Sequence, residues 1–124
     1  MRILCDDMLV LCHASDVPDG DARGFLPGPD APRRIIVYRR GETYRAYLDS
    51  CPHYRAGTPM SWRADAYMNC DRTHLVCFAH GALFDLETGV CVAGPCKGRR
   101  LTAIALMLRD NGDLCVSVSE ARQP

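Results

Sequence analysis

An all-β fold is predicted by three observations. Apolar residues come in short runs, several alternating with polar ones, and Gly, Pro, Asn and Asp separate the runs. No stretch of about 12 residues carries a convincing 3.6-residue apolar period. Two tight-turn signals, Arg40-Gly41-Glu42 and Asp110-Asn111-Gly112-Asp113, each join two such runs, because Gly and Asn tolerate the positive φ that a two-residue hairpin turn requires.

The elements follow in order. A first strand is expected over residues 8–12. Residues 18–33 are rich in Gly, Pro and Asp and read as an irregular surface excursion. Strands at 35–39 and 43–49 flank the first hairpin turn. Shorter strands are expected at 66–69, 74–78 and 83–85, with a turn from Asp85 to Gly89. The last hairpin pairs 103–108 with 114–118, where Leu114, Val116 and Val118 share one face and Cys115 lies on the other.

At 124 residues the chain is one domain's worth, 1–124, without internal repeat or linker. Fifteen basic side chains balance fifteen acidic ones, which argues against a nucleic-acid partner. Fourteen of the fifteen basic residues are Arg, concentrated at 33–45 and again around Lys97-Gly98-Arg99-Arg100; they form a solvated strand face or a patch for an acidic partner. The longest run without Asp, Glu, Lys or Arg, residues 73–84, falls short of the roughly 18–20 needed to cross a bilayer. Asp6 and Asp7 interrupt any apolar signal region, so a cytoplasmic location without a membrane partner is expected, with a monomer as the default.

Eight Cys in 124 residues lie below the density of about 8–10% that marks a disulfide scaffold, and in a reducing compartment some are better explained as metal ligands. Cys5 and Cys12, on or beside the first strand, read as small buried hydrophobes. Cys51-Pro52-His53 and Cys77-Phe78-Ala79-His80 combine Cys and His at ligand spacing, each on a loop just after a predicted strand. Two thiolates and two imidazoles suit a tetrahedral zinc, or a two-iron cluster with Cys on one iron and His on the other. Zinc sites usually group like ligands, whereas here each loop supplies one of each kind; the mixed order favours the cluster.

With Cys51-Pro52-His53, Cys77-x-x-His80-Gly81 and Gly94-Pro95 in this order, the chain resembles the Rieske [2Fe–2S] proteins, in particular the small Rieske-type ferredoxins, from about Leu11 to Val118. The resemblance implies a Rieske-type antiparallel β-sandwich with a small cluster-binding subdomain, about residues 50–97, formed by three loops. It implies that Cys51 and Cys77 hold the inner iron and His53 and His80 the outer one. The 23 residues between the two motifs are more than members of the family usually have; the surplus is expected in a longer hairpin from Met60 to Leu75, away from the iron.

The same resemblance makes the surroundings of the cluster readable. In high-potential members a disulfide joins the ligand loops, and a Ser and a Tyr donate hydrogen bonds to the cluster sulfurs; Ala56, Ala79, Ala82 and Phe84 occupy those positions here. Without the hydroxyl donors the potential is expected near the bottom of the Rieske range, about −150 to 0 mV. Gly94-Pro95-Cys96 resembles the loop that covers the cluster, with Cys96 packing and not ligating. Cys91 and Cys96 are expected as packing thiols, although the two could pair oxidatively. Cys70 and His74 fall in the long hairpin as surface or turn residues, and Tyr54, Trp62 and Phe78 are candidate neighbours of the cluster.

An oxygenase needs a second iron held by two His and a carboxylate, and only His13 and His74 remain once the cluster is built. No phosphate-binding or flavin-binding Gly-rich turn is present either. The chain is therefore expected to be no enzyme but a one-electron carrier with one [2Fe–2S] cluster, shuttling between a reductase and a terminal oxygenase or similar enzyme. The alternatives are a tightly bound small subunit of a larger oxidoreductase, nitrite-reductase-like, and a structural zinc domain.

Overall fold

Ile35-Ile36-Val37-Tyr38 is apolar without a break because this strand is buried on both faces. Ile35 and Val37 point into one core, with Leu11, Leu48, Leu114 and Val116, while Ile36 and Tyr38 point into a second, with Tyr47, Tyr67, Leu75 and Phe84. A computed structural model of the chain describes residues 8–28, 31–50, 60, 65–78 and 81–121.

Among those residues the strands are β1 (Met8–His13), β2 (Ala22–Phe25), β3 (Ile35–Arg40), β4 (Thr43–Leu48), β5 (His74–Cys77), β6 (Ala82–Asp85), β7 (Cys91–Ala93), β8 (Ala103–Ile104), β9 (Met107–Leu108) and β10 (Asp113–Ser117). They form three antiparallel sheets, ordered β1-β10-β9, β2-β3-β4-β8 and β5-β6-β7. The four-stranded sheet contributes to both cores. One core lies between it and β1-β10-β9, the other between it and β5-β6-β7. The all-β expectation holds, and the single short helix described, α1 (Val118–Ala121), follows β10.

Four local expectations are corrected. The Gly- and Pro-rich stretch holds β2, which pairs with β3 from Ala22↔Tyr38 to Phe25↔Ile35. Its Gly24 has no alternative: a Cβ there would collide with the Tyr67 ring. Residues 66–69 make only the isolated bridge Met68↔Leu75 in place of a strand. The run 103–108 breaks into β8, which joins β4, and β9, which joins β10, so one expected strand serves two sheets. β7 is added beside β6, and Val118 opens α1 and does not end β10.

Several polar residues are absorbed by the scaffold. His13 caps the 3-10 turn Ala14–Asp16: its Nδ1 accepts from the Ser15 N–H at 3.1 Å, and its Nε2 lies 3.0 Å from the Asn111 carbonyl. Glu87 faces Arg40 and Arg45 at 3.4 and 3.7 Å, and Asp21 faces Arg23 and Arg72, both at 3.2 Å, so these four Arg, two of them in the 33–45 cluster, are locally neutralised. Cys12 and Cys115 are buried, as small hydrophobes would be; burial and neighbouring Asp16 push the Cys12 thiol up to about 12, which keeps it protonated.

Candidate metal centre

Cys77 is the last residue of β5 and is fully buried. It pairs with Ala82 at the start of β6, and the Gly81 N–H donates to the Cys77 carbonyl at 2.7 Å. Gly81 takes φ +71°, a left-handed conformation that closes the hairpin tightly and that a side chain would oppose. The loop bearing the second Cys/His motif is thus pinned at both ends by β5-β6 pairing.

The first motif lies between Ser50 and Met60, and the described residues on either side of it are brought to one point. Asp49 Oδ1 accepts the Met60 N–H at 2.8 Å, so the chain returns to where it left β4. The Met60 carbonyl in turn accepts the Phe78 N–H at 2.9 Å. Asp49 stands two residues before Cys51, and Phe78 one residue after Cys77. Two short bonds therefore hold the entrance of one Cys/His loop, its exit and the start of the other loop side by side.

Asp49 is the buried charged residue of this region, 4% exposed. Its second oxygen, Oδ2, accepts the Tyr67 hydroxyl at 3.0 Å, and its own N–H donates to the Arg34 carbonyl at 2.9 Å. Burial raises its carboxyl above the usual range; the Met60 N–H, the Tyr67 hydroxyl and the Arg34 and Arg33 guanidinium groups pull it back. The same burial, with Asp49 opposite, drives the Tyr67 phenol well above its ordinary value, so it remains a hydroxyl donor. Tyr67 belongs to the long hairpin, whose turn is set by Asn69 Oδ1 accepting from Thr73 and His74 N–H at 2.8 and 3.0 Å. That hairpin carries exposed Cys70 and half-buried His74, and through Tyr67 it is anchored to Asp49 at the end of β4.

The third loop closes over β6. Gly94 takes φ +103°, and a Cβ on it would stand 2.8 Å from the Ala82 Cα, two residues beyond His80. Gly94→Ala is expected to lower stability by about 2 kcal/mol or more, through backbone strain and the clash together. Gly98→Ala, at φ +92° with nothing within 4 Å, should cost about 1 kcal/mol. Equilibrium denaturation of the two variants checks the difference.

Cys51, His53 and His80 lie outside the described residues, as do Cys5, Tyr54, Ala56, Trp62 and Ala79. Among the described residues no three His, Cys, Asp or Glu side chains come together as a metal site. Phe78 is 52% exposed next to buried Cys77, and Ala82 and Phe84 are fully buried. Cys91 and Cys96 share the core that holds Cys77. Sequence reasoning missed Asp49, Met60 and Tyr67. A carboxylate at the end of the buried run Ala46-Tyr47-Leu48 was the signal available for the first of them.

What the centre can hold follows from its donors. A buried thiol at the end of a strand, with the two Cys/His loops tied at their bases, fits a cluster needing ligands from both loops. Solved structures agree on the fold. The chain aligns with a chain of the complex of reduced oxygenase and oxidised ferredoxin in carbazole 1,9a-dioxygenase, at 26% identity and TM-score 0.66 over 90% of this chain and 93% of that one. It aligns with the Sphingomonas yanoikuyae B1 ferredoxin at 24% identity and TM-score 0.66, over 94% and 98% of the two chains. The ferredoxin of carbazole 1,9a-dioxygenase from Nocardioides aromaticivorans IC177 aligns at 18% identity and TM-score 0.66, over 89% and 96%. No curated protein sequence matches the chain significantly. The profile of the Rieske [2Fe-2S] domain matches residues 7–111, spanning both Cys/His loops and the loop at Gly94, and the chain therefore belongs to the Rieske [2Fe–2S] family.

Proposed function

We propose that Cys51 and Cys77 bind one iron of a [2Fe–2S] cluster and His53 and His80 the other, and that the chain is a one-electron carrier and no catalyst. The observation that carries this reading is the Asp49–Met60–Phe78 bond series, which joins the two loops bearing those four residues. The cluster supplies a centre that takes up and gives back a single electron. The protein holds the Cys77 side in a dry core and leaves Phe78 exposed beside it, so burial and a partner-accessible surface meet at the same loop.

The donor is a reductase and the acceptor a terminal oxygenase, the latter reading supported by the matched complex of oxygenase and ferredoxin. A cytoplasmic setting suits ligand thiols that must stay reduced. Among the described residues no helix is long and apolar enough to cross a membrane.

Buried Ala82 and Phe84 offer no hydroxyl to the cluster sulfurs, so the added charge of the reduced state is less stabilised than it would be beside Ser and Tyr. Dithionite-reduced protein is expected to give an EPR signal whose average g lies below 2, with a midpoint potential of about −150 to 0 mV by voltammetry. A colourless, EPR-silent protein with bound zinc would reject the cluster. A midpoint above about +150 mV would reject the account of its surroundings.

A further inference from the structure

Two thiols outside the four-residue ligand set meet in the core. The Cys96 Sγ donates to the Cys91 Sγ at 3.1 Å, and the Cys91 Sγ donates onward to the Ala93 carbonyl at 3.2 Å. Their chain segment is already closed at its base: the Cys91 N–H donates to the Arg99 carbonyl at 2.7 Å and the Gly98 N–H to the Cys91 carbonyl at 3.0 Å. Cys91 and Cys96 are 1% and 2% exposed, yet residues 97–100 and Gly94-Pro95 around them are exposed, so the pair lies one residue beneath solvent. A disulfide needs the sulfurs about 1 Å closer, a shift within reach of χ1 rotation at Cys96.

We propose that Cys91 and Cys96 form a modification site, a dithiol that closes to an intrachain disulfide when it meets hydrogen peroxide. One sulfur attacks a peroxide oxygen; the O–O bond breaks, and the departing hydroxide takes the thiol proton as water, leaving a sulfenic acid. The second sulfur attacks the sulfenic sulfur, the S–O bond breaks, and a second water leaves with the second thiol proton. Each sulfur gives up one electron, and each peroxide oxygen gains one. A small thiol reductant such as dithiothreitol reverses the bond by exchange. Peroxide is small enough to enter beneath an exposed loop, which a bulky disulfide oxidant is not. The bond would tie β7 to the loop that Gly94 presses against Ala82.

The test treats holoprotein with hydrogen peroxide, quenches it, denatures it in alkylating reagent and maps the peptides by mass spectrometry. Exposed Cys70 is the internal measure of oxidant dose. The expected result is that Cys91 and Cys96 lose alkylation together, that their peptide is lighter by two hydrogens, and that dithiothreitol restores both. In Cys96→Ser, Cys91 should instead stop at an oxygenated form. The proposal is overturned if both residues stay fully alkylated at doses that consume Cys70, if either bonds to a different cysteine, or if the two oxidise independently.

Discussion

Replacing Cys77 with Ser is expected to lower bound iron more than about tenfold and to abolish the visible absorption and the EPR signal of the reduced protein. The side chain is fully buried at the end of β5, and Ser is nearly the same size, so the loss would come from the donor atom and not from packing. Cys91→Ser is the matched control. Cys91 shares the same core, and it opposes Phe84, two residues beyond the Ala82 that pairs with Cys77. It loses an equally buried sulfur that lies outside the proposed ligand set, so it should keep its iron. Iron analysis alongside circular dichroism separates the outcomes: equal iron loss in both variants, with the fold retained, would mean that Cys77 is packing and that the ligand assignment fails.

The contrast between those two cysteines also marks what sequence alone could reveal. Cys77 was legible because it stands three residues before His80, in the same order as the first Cys/His pair; Cys91 and Cys96 have no such His in sequence and read as packing thiols that could pair, and the fold is what sets their sulfurs 3.1 Å apart. Among the strands, β3, β4 and their turn were plain, since the apolar run Ile35-Ile36-Val37-Tyr38 and the β-prone run Thr43–Leu48 flank Gly41, which takes φ +60°. β2 was not. Ala22-Arg23-Gly24-Phe25 has weak strand preference and lies among Gly, Pro and Asp, and it becomes a strand because β3 offers an edge and Tyr67 needs the space at Gly24. The run 103–108 misled for the opposite reason: its apolar pattern is continuous, but β4 and β10 each capture only one end of it. Long-range pairing decided these cases, and it leaves no local trace.

Asp49→Ala is expected to destabilise the fold by about 3 kcal/mol, which for a chain of this size lowers the thermal midpoint by about 10 °C. The substitution leaves two buried donors, the Met60 N–H and the Tyr67 hydroxyl, without the oxygens they reach at 2.8 and 3.0 Å. Asp49→Asn should cost clearly less. It retains a carbonyl oxygen for the Met60 N–H, and it removes a charge that burial already disfavours, since desolvation is the first cause holding this carboxyl above its usual range. Tyr67→Phe tests the other arm: it should cost about 1 kcal/mol alone but much less in an Asp49→Ala background, because the bond is then already gone. Denaturant titration of the four proteins measures that coupling, and additive losses would show that Tyr67 and Asp49 act separately. The loop consequence follows from connectivity. Because the Met60 carbonyl also receives the Phe78 N–H, releasing Met60 loosens the first Cys/His loop from the second, so Asp49→Ala should retain less iron than Tyr67→Phe at matched folded fraction.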